Sequence, residues 1–307
     1  MKQKFHRAFI VAGVLLLAGF GCSKSTTNPS EKPVDIDAIQ RMSPKDAARA
    51  IRFKQGSSFE IRQSALKVQN EWVREDPELS RRVVTLNEYM PEAGAVVQWT
   101  LQQKVRTDEY KKALEEFQKG ATTTEPRVAH GMLVTAGSLK AVIFKDTHKI
   151  LFPALWPEGE GSAQSTGAVW VSRAVYEEMS RTRASTVYLN FFDGLATLAS
   201  GNEELAKAIE QLRAHANASS ERTDLDLMKA EGELSDTALQ VNGKEVTVQT
   251  IKARSWFGEM TVLNNPENPL ILKFSMNPPV TGDSGEASAG MGLLKDLLSF
   301  EVTRIDL

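Results

Sequence analysis

The residues of this chain that could do acid–base or nucleophilic chemistry are few and scattered. The segment FKDTHKILF sets Asp146 two residues before His148. With a serine from elsewhere, Ser162 or Ser165, the three would supply the carboxylate, imidazole and hydroxyl of a hydrolase triad. A triad is a matter of geometry that no local spacing here specifies, and the same residues read more economically as a turn at Asp146-Thr147 with His148 as a solvated flank. His130, in VAHGML, and His215, on a polar helix end, complete the histidines beyond residue 22. The three lie at least 18 residues apart with no second His or Cys at ligand spacing, so no metal site and no cofactor are expected. HExxH, a P-loop, GxGxxG after a strand and a GxSxG elbow are all absent. GEGSAQSTG lacks the Lys-Ser/Thr pair of a phosphate-cradling loop, and Glu158, Glu160 and Asp283 lack the alternating spacing of a calcium loop.

The single cysteine, Cys22, stands where an apolar run stops and the polar run SKSTTNPSEK begins. Lys2, Lys4 and Arg7 precede an uninterrupted apolar or small run of 14 residues, 8–21, the layout of an export signal. A helix of that length rises only about 21 Å against a hydrocarbon core of roughly 30 Å, too short for a permanent span. Cys22 directly after Gly21 resembles the lipobox of bacterial lipoproteins. The resemblance covers the first two dozen residues and departs from the usual box at Gly19 and Phe20, where an aliphatic and a small residue are customary. It implies cleavage after Gly21 and acylation of Cys22, hence palmitate-type chains and a membrane anchor. Two such chains hold stably at about 0.8 kcal/mol per buried methylene. Ser23 stands where an inner-membrane retention signal carries Asp, so the implied address is the outer membrane, facing the periplasm or the cell surface. Gly19-Phe20-Gly21 also suits an ordinary signal peptidase, which would leave Cys22 a free thiol.

Losing Lys2, Lys4 and Arg7 with the leader takes the 37 basic residues to 34 against 39 acidic ones, a formal charge of −5. A mildly acidic chain lacks the basic footprint that a nucleic-acid partner needs. With one cysteine no internal disulfide can form, so packing must supply the stability.

The elements expected to position these residues fall into an α+β order. Residues 1–21 are the signal peptide and 22–42 the lipidated cysteine and a flexible tether. Over 43–120 the signals are helical and predict an antiparallel helical region. Ser43-Pro44-Lys45-Asp46 offers a cap, Ser57 and Glu60 repeat the spacing before Ile61, Ala65, Val68 and Trp72, and Asp76-Pro77 opens a stripe of Leu79, Val83, Leu86 and Met90. Val97, Leu101 and Val105, then Tyr110, Leu114 and Phe117, close the series. Residues 121–307 predict a mainly antiparallel, sandwich-like β region with a helical insertion, GNEELAKAIEQLRAHA. Asn242-Gly243 between alternating segments is its clearest hairpin signal, and NNPENP reads as a turn. Trp156, beside Pro153 and Pro157, and Trp256 are the aromatic residues placed to touch a ligand or partner.

These readings converge on a lipid-anchored, non-catalytic envelope protein that binds another envelope protein and no nucleic acid. The alternatives are an envelope hydrolase using His148 and Asp146, and a carrier whose apolar pocket is lined by Phe191, Phe192 and Trp256.

Overall fold

The computed structural model describes residues 34–63, 65–68, 71–74, 80–163, 166–188, 202–218, 227–277 and 289–307. Residues 35–307 form one unit, and the description below is of that unit.

Two short helices lead the chain. In α1 (Ile36–Gln40) the Asp35 carboxylate accepts from the Ala38 N–H. In α2 (Pro44–Ala50) the Ser43 hydroxyl accepts from the Asp46 N–H and Pro44 takes the first turn, where its missing N–H costs nothing. Strands follow: β1 (Ser58–Gln63), β2 (Ala65–Val68), β3 (Glu71–Arg74), β4 (Ser80–Met90) and β5 (Gly94–Arg106). Helix α3 (Asp108–Gln118) separates β5 from β6 (His130–Ile143). Next come β7 (Gly159–Ser162), α4 (Arg173–Thr182), β8 (Ala184–Thr186), α5 (Glu203–Ala218) and β9 (Leu227–Ala230). The last elements are β10 (Ser235–Val241), β11 (Lys244–Arg254), β12 (Gly258–Leu263), β13 (Ile271–Met276), α6 (Ala289–Leu298) and β14 (Phe300–Asp306).

The α+β expectation of a helical region over 43–120 ahead of a separate sandwich-like sheet is therefore corrected: the described chain is mostly β, and its first half is built from strands. The three middle segments of the expected helical series are strands because their burial alternates at period two. In β1, Phe59, Ile61 and Gln63 point inward and Arg62 outward; in β5, Val97, Trp99, Leu101 and Gln103 are buried while Gln98, Thr100 and Gln102 are exposed. The stripe Val83, Leu86, Met90 has no common face, since Met90 is exposed and the inward residues of β4 are Arg82, Val84 and Leu86.

A single 12-stranded sheet runs in the order β7-β6-β5-β4-β1-β14-β13-β12-β11-β9-β8, with β10 pairing both β11 and β14; β2 and β3 pair only with each other. Strand β14 is occupied along one edge by β1 and shares the other between β13, at Phe300 and Glu301, and β10, in parallel at Arg304 and Ile305. The pairs β10–β11, β11–β12, β12–β13, β13–β14 and β14–β10 thus close a five-stranded circuit. Closure removes exposed edges where it is complete.

The core is aromatic. Trp170, fully buried, lies 5.5 Å from the Phe59 ring and 5.2 Å from that of Phe144, with Phe53 and Tyr89 completing the cluster. Segment 264–269, read as a turn, does turn at Pro266-Glu267 and is also a buried polar hub: Asn265 and Asn268 are 1% and 0% exposed. Asn265 Nδ2 donates to the carbonyls of Ala48 and Ile51, Asn268 Nδ2 donates to Ile51, and Trp170 Nε1 donates to Asn268 Oδ1 at 2.9 Å. These bonds hold the C-terminal end of α2: the Ala48 carbonyl takes the Asn265 amide beside the Ile51 N–H, and the carbonyl of the capping residue Ile51 takes both amides.

On β6, Gly137 faces Trp99. A Cβ there would stand 2.5 Å from the Pro157 carbonyl oxygen and 2.7 Å from the indole, so residue 137 must be glycine for the 153–157 segment to seat. Gly137→Ala is expected to cost about 2–3 kcal/mol, as other overpacked cores do, and a denaturant midpoint equal to wild type would contradict this seating.

Candidate binding groove

Register errors open the sheet where the circuit could have been tight. A bulge in the β12–β13 pair leaves Leu272 without an opposite residue, and another in the β1–β14 pair does the same to Thr303. Bulges bend the strand that carries them and raise its twist. Between β10 on one side and β12–β13 on the other lies a groove of about 450 Å³, walled by Thr237, Ala238 and Leu239 opposite Leu272 and Lys273. Strand β10 uses one edge for β11 along its whole length, whereas the other edge pairs with β14 only at Gln240 and Val241. Residues 235–239 therefore have no strand on that edge among the described residues, and Thr237, Ala238 and Leu239 of this stretch line the groove.

The outer face of the sheet supplies the charge. Cross-strand neighbours Lys252, Thr261, Lys273 and Glu301 form one row across β11, β12, β13 and β14. Arg254, at the groove end, is clamped by Glu231 and Glu259, each 2.6 Å from Nη2. Among the described residues no ion pair engages Lys252 or Lys273, and the two ammoniums are exposed on the same face. The volume is that of small-ligand and peptide sites, and the mixture of a free strand edge with charged flanks suits an extended polar segment.

The residues expected from sequence lie elsewhere. His148 is half-buried and its Nδ1 sits 2.7 Å from the Thr186 carbonyl oxygen, which can only accept, so Nδ1 is the donor of that bond. A triad needs a carboxylate at that nitrogen. Among the described residues His148 makes no hydrogen bond to Asp146 or Ser162. Asp146 occupies the turn at φ 53° and lines a shallow separate pocket with Glu92, Lys145, Arg173 and Glu177, where Arg173 is already paired with both glutamates. His130 begins β6 opposite Arg106 and is exposed. Trp156 is buried, donating from Nε1 to the Leu151 carbonyl, and Trp256 is half-buried with its ring 5.6 Å from that of Phe257. Cys22, Ser165, Phe191 and Phe192, and the His215 side chain, lie outside the described residues. Among the described residues no cluster of three His, Cys, Asp or Glu could hold a metal ion, and no helix is long and apolar enough to cross a membrane.

The groove residues carried no signature in the sequence. Lys252 and Lys273 are ordinary solvent-face lysines in alternating strands, and only the circuit brings them to one wall. No protein-family model matches this chain, and no characterised protein or solved structure is significantly similar to it.

Proposed function

We propose that this protein is a non-catalytic binding module of the cell envelope, held at the outer membrane through lipid on Cys22, which captures an extended segment of a partner protein in the groove beside β10. The observation that carries the binding role is the β10 edge at Thr237, Ala238 and Leu239, which carries no strand among the described residues and shares the groove with Leu272 and Lys273. A strand added there gains main-chain hydrogen bonds, while the lysines select an acidic flank. The anchor rests on the sequence, where the lone cysteine follows a leader of export type. The engagement of His148 Nδ1 by a backbone carbonyl weighs against the hydrolase alternative.

Two measurements test this. Cys22→Ala is expected to abolish palmitate labelling and release the protein from membranes; a variant that stays membrane-bound, with wild type taking up no label, overturns the anchor. A photo-crosslinking residue at position 238 or 273 is expected to trap one and the same partner in cells, and the same residue at the exposed position 112 on α3 is expected not to. Equal yields from all three positions, or none, remove the groove from the reading.

A further inference from the structure

The inner face of β4 and β5 holds a buried cation with no anion beside it among the described residues. Arg82 is 5% exposed; its Nη1 donates to the Pro153 carbonyl oxygen and its guanidinium carbon lies 4.6 Å from the Trp99 ring centre and 5.3 Å from that of Trp156. Among the described residues no carboxylate pairs with it, and its Nε has no hydrogen-bond partner there. The indole faces soften the charge, but they accept nothing from Nε–H. Burial alone acts on the group, pushing its pKa down to about 9, so it remains a cation at neutral pH.

The orphaned atoms are grouped. Arg82 stands opposite Leu101 on β5, and the residues two positions either side of Leu101 on the same face are Trp99 and Gln103. Arg82 also stands opposite Ile61 on β1, and two positions along on that face is Gln63. Diagonal neighbours of this kind lie about 7–8 Å apart, within reach of long side chains. Trp99 Nε1, both amide atoms of Gln103 and Gln63 Oε1 are buried with no partner among the described residues. Buried polar atoms are nearly always satisfied, so this concentration in one patch has a physical cause. Water could serve the amides and the indole, but a water molecule leaves the positive charge uncompensated.

We infer that this patch, independent of the groove beside β10, is a binding site for a small monoanionic carboxylate, its oxygens taking the N–H groups of Arg82, Trp99 and Gln103. One buried cation sets the charge of the ligand at minus one, since a dianion would bury a net negative charge. Gln63 Oε1 and Gln103 Oε1 are left as acceptors for a hydroxyl or ammonium on the same molecule. The 153–157 segment covers the site through the Pro153 carbonyl and the Trp156 ring.

The test uses the full chain in detergent micelles and reads tryptophan fluorescence and the melting temperature. Sodium acetate is titrated against sodium chloride at constant ionic strength and against acetamide, its neutral isostere. Acetate is expected to give a saturable fluorescence change and a higher melting temperature, chloride and acetamide neither. Arg82→Met is expected to abolish the response, and Gln103→Leu to weaken it at least tenfold with an unchanged circular dichroism spectrum. Should Arg82→Met fail to fold, Gln103→Leu alone decides. No saturable response to acetate, an equal response to acetamide or chloride, or an undiminished response in the folded variants would each overturn the site.

Discussion

Asn268→Ala is expected to lower the unfolding free energy by about 3 kcal/mol, the largest single loss from any polar residue discussed here. The change removes the acceptor of the Trp170 Nε1 proton and one of the two amide donors to the Ile51 carbonyl, all in a fully buried setting. Leaving a buried donor unsatisfied costs roughly 1–3 kcal/mol, and losing a hydrogen bond adds about 1 more. Trp170 also anchors the aromatic cluster of Phe53, Phe59, Tyr89 and Phe144, so a shift of its indole is felt by all four rings. A double-mutant cycle with Trp170→Phe separates the orphaned proton from the lost packing: the pair is expected to cost less than the sum of its members. Additivity within about 0.3 kcal/mol would show that the hydrogen bond between them contributes nothing.

Arg82→Met is expected to move stability the other way, raising it by about 1–3 kcal/mol at pH 7. A buried, unpaired guanidinium is a burden that a methionine of similar length does not carry, and replacing buried charge by apolar groups is often stabilising. The loss of two cation–π contacts and of the bond to Pro153 offsets part of the gain. Were Arg82 a structural keystone, the same variant would lose several kcal/mol instead.

The pH dependence carries the matching sign. With burial holding the folded-state pKa at about 9, well below the ordinary arginine value, the unfolded chain holds more protons on this arginine above that pH, so its contribution to stability rises with pH from there and the full penalty is present below it. Tyr89 opposes this: burial, then the charge of Glu267, raises its pKa above the ordinary 10, so its contribution is intact below pH 10 and is lost as pH rises further. The difference between wild type and Arg82→Met, measured by denaturant titration from pH 8 to 11, isolates the arginine. The gap should narrow as pH increases; a constant gap would show that the guanidinium is not desolvated.

The same inward polar residues explain what could be read from the sequence and what could not. The cap at Ser43-Pro44 and the hairpin at Asn242-Gly243 were legible because each depends on two or three adjacent residues whose local preferences decide the matter. Strands β1, β4 and β5 were not, because the alternation that marks a strand is broken at its inward positions by Gln63, Arg82 and Gln103. With those three removed from the apolar count, the remaining Ile61, Val83, Leu86 and Val97 fit a helical period by coincidence. A polar residue on a buried face conflicts with local patterning and is tolerated where it serves a purpose, so the error in the fold and the candidate carboxylate site have one origin. The groove was hidden for another reason: its strands are readable one hairpin at a time, but the two parallel pairs of β10 with β14 link residues 64 positions apart, and no local signal specifies that union.

Strand β14 couples the two ends of the chain. It lies between β1, some 240 residues earlier, and the β10–β13 circuit, so neither half of the sheet is complete without it. In a chain made amino end first, β1 can pair with β4 early, but its other edge waits until residues 300–306 have emerged, and contacts of such long range form slowly. The two halves of the sheet therefore join only once the last strand is available, a timing imposed by connectivity alone.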